Sequence, residues 1–155
     1  HDQKNVAALF HLGICYDRMD KYSLSEDMFK QVIKLSPRHA AAYNYLGYSW
    51  ADRGIRLGDS YKMIQKALEI EPYNGAYIDS LGWVLYQQGK YQQALQKLKQ
   101  AAKALEDPVI FEHLGDTYRK LRLLKKALRA YQKALRLNPA NQDIKEKINS
   151  LKKSD

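Results

Sequence analysis

The side chains in this sequence that could do chemistry are few: four histidines (His1, His11, His39 and His113) and one cysteine, Cys15. A helical zinc site needs two ligands three to five residues apart on one face, and no histidine pair has that spacing. Neither a phosphate-cradling glycine loop nor a nucleophile-elbow motif occurs. The expectation is a non-enzyme with no cofactor, no metal and no small-molecule substrate. His11 and His113 each precede a leucine in the same local context, and Cys15 lies in the apolar stretch Gly13-Ile14-Cys15-Tyr16, where it reads as a packing residue. One thiol cannot form an internal disulfide. It suits a cytoplasmic protein or one of the bacterial cell envelope or periplasm equally well, so localisation stays open.

The second feature with chemical potential is charge. The chain carries a net +9, and residues 108–155 hold 12 Lys and Arg against 5 Asp and Glu. Within that segment Lys125, Arg129, Lys133 and Arg136 recur at i, i+4, i+8 and i+11, one stripe along a helix. Such a stripe suits an acidic partner, a membrane surface or nucleic acid, and its alternative is a solvated face. No interleaved aromatics and no groove-reading motif accompany it, which disfavours nucleic acid.

These side chains need a scaffold, and composition narrows what it is. With 45% apolar and 28% charged residues the chain has the makeup of a folded domain. No apolar run approaches the ~18 residues of a membrane span, so an integral membrane segment is not expected. Alternating β-branched runs are missing and Pro and Gly are sparse, so the reading is all-α, in a single domain over 1–155.

Self-similarity supplies the architecture. Leu12-Gly13, Leu46-Gly47, Leu81-Gly82 and Leu114-Gly115 recur at glycine spacings of 34, 35 and 33. Large side chains, Tyr16, Trp50, Leu85 and Tyr118, follow three residues after each glycine. Further on come the anchors Phe29, Ile64, Leu98 and Tyr131, each three residues before Val32, Ala67, Ala101 and Ala134. Pro37, Pro72 and Pro139 end the segments. Each period therefore reads as two antiparallel helices, with the glycine of the first expected to meet the alanine of the second. Ile144, Ile148 and Leu151 give one more amphipathic helix, which covers the last repeat.

These residues resemble the tetratricopeptide repeat (TPR) family, whose unit runs W-x₂-L-G-x₂-Y, then A-x₃-F, then P, over ~34 residues. The resemblance covers Val6 to Asn141 and implies a right-handed superhelical α-solenoid of four helix-turn-helix units with a C-terminal capping helix. The repeats fall at about 6–39, 40–74, 75–107 and 108–141, with the cap at about 141–153. Nine helices are expected, near 4–18, 22–35, 39–53, 57–70, 74–88, 91–104, 108–121, 124–137 and 141–153. Two departures stand out. The second unit has one extra residue within Asp52–Asp59 and Ser60 where Ala is usual, and the third is one residue short, with Pro108 at the start of the next helix.

The resemblance also implies that first helices line a concave groove that holds a peptide or helix of a partner protein. Its lining would be Phe10 and Ile14, Asn44 and Tyr48, Asp79, Trp83 and Tyr86, then Glu112 and Asp116, running from apolar through aromatic to acidic. Trp and Tyr are effective anchors, and Asn44 could pair with a peptide backbone. The alternative is that Tyr48, Trp83 and Tyr86 pack between neighbouring helices. The basic stripe falls on the convex side. Family members that grip chaperone carboxylate tails use a Lys/Asn/Arg clamp. The corresponding positions here read Phe10, Ile14, Tyr45, Ala76 and Ser80, or Asn44, Tyr48, Ser80, Val109 and His113, so that ligand is disfavoured. A further alternative is self-assembly through the uncapped first helix, giving a homo-oligomer. The start at His1, without Met or leader, reads as a fragment of a bacterial TPR-containing protein.

Overall fold

A computed structural model describes residues 2–153. Among them are nine helices and no strand: α1 (Asp2–Arg18), α2 (Tyr22–Leu35), α3 (Ala40–Asp52), α4 (Leu57–Ile70), α5 (Gly75–Gln87), α6 (Tyr91–Ala104), α7 (Pro108–Lys120), α8 (Leu124–Leu137) and α9 (Gln142–Lys152). The fold is all-α, as the period implies. The described residues group into two compact units that divide between Tyr73 and Asn74. The first unit holds α1–α4 and the second α5–α9.

Local chemistry sets where each helix begins. Three of the first helices and the final helix carry side-chain caps that satisfy free amide groups at the N-terminus. His39 Nδ1 accepts from Ala42 N (3.2 Å), Asn74 Oδ1 from Ala76 N (3.1 Å), Asp107 Oδ1 from Val109 N (2.8 Å) and Asn141 Oδ1 from Ile144 N (3.2 Å). Pro108 takes the first helical position behind Asp107, where its missing N–H costs nothing. The second helices α2, α4, α6 and α8 have no side-chain cap.

They follow instead a turn built four times over. The amides of Lys21, Ile55, Lys90 and Leu123 donate to the carbonyls of Tyr16, Trp50, Leu85 and Tyr118, all at 2.9 Å, closing the C-terminus of each preceding helix. The residue before each donor has positive φ: Asp20 57°, Gly54 66°, Gly89 77° and Arg122 62°. Two repeats use glycine at this left-handed position and two bear the cost of a side chain there. The extra residue of the second unit follows Gly54. The α3–α4 connection is Arg53–Arg56, one longer than its counterparts, and places Arg56 at φ 47°. The shortened third unit has a three-residue α6–α7 connection where the α8–α9 connection has four.

Helix contact in each hairpin differs from the expected glycine-on-alanine approach. A Cβ on Gly13, Gly47, Gly82 or Gly115 would lie 2.8, 2.8, 2.7 or 2.3 Å from Phe29, Ile64, Leu98 or Tyr131. The glycine therefore receives the large anchor of the second helix, because the anchor's bulk requires a partner without a side chain. Val32, Ala67, Ala101 and Ala134 are buried one turn further on. The small position where Ala is usual holds Ser twice. Ser60 is buried and donates to the Gly47 carbonyl at 2.6 Å, and Ser25 is buried at the same place in the first unit. Cys15, expected to pack, is exposed. It stands two residues after Gly13, about 200° around the helix from the face that meets α2.

Core clusters follow the units. Phe29, Val32, Ala42, Leu46 and Trp50 bind the first together. In the second, Leu98, Leu114 and Ala130 join α6, α7 and α8, and Ala127, Tyr131 and Ala134 receive Ile144, Ile148 and Leu151 of α9. The capping helix thus buries its apolar stripe as its pattern implies.

Candidate interaction faces of the first helices

Within each unit one positional rule orders the candidate face. The residue two before the repeat glycine, on one first helix, lies against the residue three before the glycine on the preceding first helix, and in the second unit also against the residue one after it. In the first unit Tyr45 meets Phe10 edge-on, with centroids 5.4 Å apart. In the second unit His113 Nδ1 lies 2.9 Å from Asp79 Oδ1, and its ring stacks on Trp83 at 4.0 Å and 12°. Lys147 of α9, 34 residues after His113, donates to Glu112 Oε1 at 2.8 Å and to Asp116 Oδ2 at 2.9 Å.

The consequence is that several groove candidates are partly enclosed. Asp79 is 5% exposed, Trp83 9% and Asp116 6%. Buried carboxylates need partners, and each has one: His113 for Asp79, and for Asp116 both Lys147 and the Tyr131 hydroxyl, which donates at 2.6 Å. Tyr86 and Glu112 are half-buried and remain at the surface. Tyr86 stacks on Trp83 at 4.6 Å and 9°, and Tyr91 meets its ring edge at 5.3 Å. Glu112 and Asp116 share one lysine, which cancels part of the acidic end.

Proton affinities follow. Burial raises the Tyr86 phenol, and the negative Asp116 adds to it. Burial likewise pushes Tyr131 up strongly, reinforced by Asp116. Both phenols therefore stay neutral, and that of Tyr131 donates to Asp116. For Lys147 burial favours the uncharged amine, but the bonds to Glu112 and Asp116 outweigh it and its pKa rises.

In the first unit Phe10 and Ile14 are half-buried and pack on the core. Asn44 and Tyr48 are also half-buried, and the Asn44 amide oxygen is enclosed without a hydrogen-bond partner among the described residues. That oxygen is not presented to a ligand backbone. Further along, Ser49 Oγ donates to Asp17 at 2.7 Å, while Glu26 accepts from Trp50 Nε1 at 2.8 Å and from Arg53 at 2.9 Å. Burial acts to raise the Glu26 pKa, but the Trp50 and Arg53 bonds overcome it and hold the group below its usual value.

Sequence reasoning assigned His113 to the repeat pattern alone and Lys147 to the polar side of the cap. The 34-residue offset links the two to each other, but their roles as partners of Asp79, Glu112 and Asp116 had no signal in the sequence. On the basic stripe, Lys125, Arg129 and Arg136 are exposed, and Lys133 pairs with Glu106. Among the described residues no group of His, Cys, Asp and Glu could hold a metal, and no helix is long and apolar enough to cross a membrane.

Models of the tetratricopeptide repeat match residues 7–39, 76–108 and 109–141, which together cover most of the chain. The chain belongs to the tetratricopeptide repeat family. A TPR repeat-containing protein of Pseudomonas aeruginosa is 38% identical over 99 residues, 64% of this chain but 17% of its own length. A probable peptide N-acetylglucosaminyltransferase, SPINDLY, of Eustoma exaltatum is 34% identical over 101 residues, 62% of this chain and 11% of that protein. The TPR chain thus spans less than a fifth of the length of either curated relative. A thermophilic TPR protein of Thermus thermophilus superposes with TM-score 0.84 at 22% identity, covering 94% of this chain and 80% of that one. The first TPR of Spaghetti, solved with an HSP90 peptide, superposes with TM-score 0.67 at 16% identity, covering 74% and 91%. At such identities these structures establish the shared all-α TPR solenoid fold.

Proposed function

We propose that this TPR chain is a protein-interaction scaffold that binds a peptide or helix of a partner protein on its first-helix faces, with no catalysis of its own. The observation that carries this reading is the half-buried Tyr86 ring on α5, preset by stacking on the buried Trp83, which itself stacks on His113 of α7. Rings already fixed by stacking lose little entropy on binding, and Tyr is favoured at such anchors. The presence of a peptide in the Spaghetti structure supports the same use of the fold.

The chemistry of the face favours a neutral or basic segment. Glu112, Asp116 and Lys147 together retain one negative charge, and no basic clamp for a carboxylate tail is present at the corresponding positions. In the first unit the half-buried Tyr48 offers a second aromatic contact. Exposure makes Tyr86 and Tyr48 better test sites than Trp83, whose indole is largely interior.

Affinity capture with the chain and with a Tyr48→Ala/Tyr86→Ala variant tests the proposal. At least one partner should be lost tenfold or more by the variant while its far-UV spectrum stays helical. Equal retention of every captured protein would remove the first-helix faces from binding.

A further inference from the structure

The second helices of the two units differ in charge in a way that the fold does not require. In the first unit α2 and α4 each carry two carboxylates and two lysines. In the second, α6 and α8 carry eight cations and not one carboxylate. Solvated helices ordinarily offset like charges at i, i+3 and i, i+4 with opposite ones, because unbalanced neighbours repel. Among the described residues the one ion pair on α8 is that of Lys133 with Glu106.

Beneath these cations lies a groove of about 350 Å³, floored by Phe111, Leu114, Tyr118 and Ala130 and rimmed by Lys126, Arg129 and Lys133. Among the described residues no carboxylate lines it. Lys133 lies over the Phe111 ring at 5.6 Å and Lys126 over the Tyr118 ring at 6.0 Å. We infer that this groove is a second ligand site, between α7 and α8, for an acidic peptide of a partner protein that inserts one apolar side chain among the three cations.

Four observations select that occupant. The apolar floor and the cationic rim, where Glu106 pairs with Lys133 alone, match an apolar residue flanked by carboxylates, and that ligand relieves the repulsion along α8. The volume is at the small end of the roughly 300–1,000 Å³ of ligand clefts, suited to one or two side chains. Nucleic acid stacks bases on open aromatic faces, whereas cations already cover the faces of Phe111 and Tyr118. Insertion into a bilayer, beyond attraction by charge, needs apolar groups that protrude, and these are recessed.

The test is fluorescence anisotropy with a labelled nonapeptide, one leucine flanked by four glutamates on each side, at fixed moderate salt. Its companion has serine in place of leucine. A nine-nucleotide oligothymidylate and phosphatidylglycerol vesicles are the other probes. The leucine peptide should bind at least fivefold tighter than the serine peptide. A Lys126→Gln/Arg129→Gln/Lys133→Gln variant of unchanged helicity should lose at least tenfold, and Tyr86→Ala should lose nothing. Equal binding of the two peptides would reduce the site to bare charge and overturn the inference. So would absence of binding, tighter binding of the oligonucleotide or vesicles, an unaffected triple variant, or a loss with Tyr86→Ala.

Discussion

At the scale of single residues, the repeat glycines mark where bulk is forbidden. A methyl on Gly115 would lie 2.3 Å from the Tyr131 ring, and that ring is tethered through its hydroxyl to Asp116. Gly82 faces the more pliable Leu98 side chain at 2.7 Å. Gly115→Ala should therefore cost more than Gly82→Ala, within the ~1–3 kcal/mol typical of overpacking, as read from urea midpoints. Lys147→Met removes the cation from Glu112 and Asp116 and should destabilise by about 2 kcal/mol, since a buried carboxylate loses its partner. Glu26 governs an acid response. Its folded-state pKa is depressed, so the unfolded chain takes up more protons through the acid range. Its contribution is complete above the ordinary glutamate value and is lost as pH falls through the depressed one. Trp50 fluorescence should register falling stability across that window, with a shallower dependence in Glu26→Gln.

The next scale is the helix and its turn, where the sequence was most legible. Helix positions followed from the leucine-glycine period, and ends expected at 39, 74 and 141 proved to be the capping residues His39, Asn74 and Asn141. The extra residue within Asp52–Asp59 and the missing residue of the third unit were visible because an insertion or deletion shifts the period itself, while the place after Gly54 came only with the structure. The glycine's true contact was not visible, because spacing places residues on a face without saying which opposing side chain enters the gap. Cys15 was misread for a related reason: an apolar neighbourhood in sequence does not specify the angle around the helix. The turns give a clean element-scale test. Arg122 has φ 62° where the second and third repeats use Gly, so Arg122→Gly should raise the melting temperature by an amount equivalent to up to about 1 kcal/mol.

For the molecule as a whole, the sequence located the surface positions three before and one after each glycine but not what covers them. His113 and Lys147 enclose Asp79 and Asp116 because each first helix lies against the preceding one within the unit. That arrangement is a tertiary relation, and single-helix periodicity does not contain it. The account then turns on where a partner sits. The most direct measurement is hydrogen–deuterium exchange of the chain alone and bound to a partner retained by affinity capture. The proposed function predicts new protection on the first helices, at residues 75–87 and 108–120 or at 40–52. Protection confined to the second helices, or to the loops between repeats, would contradict it.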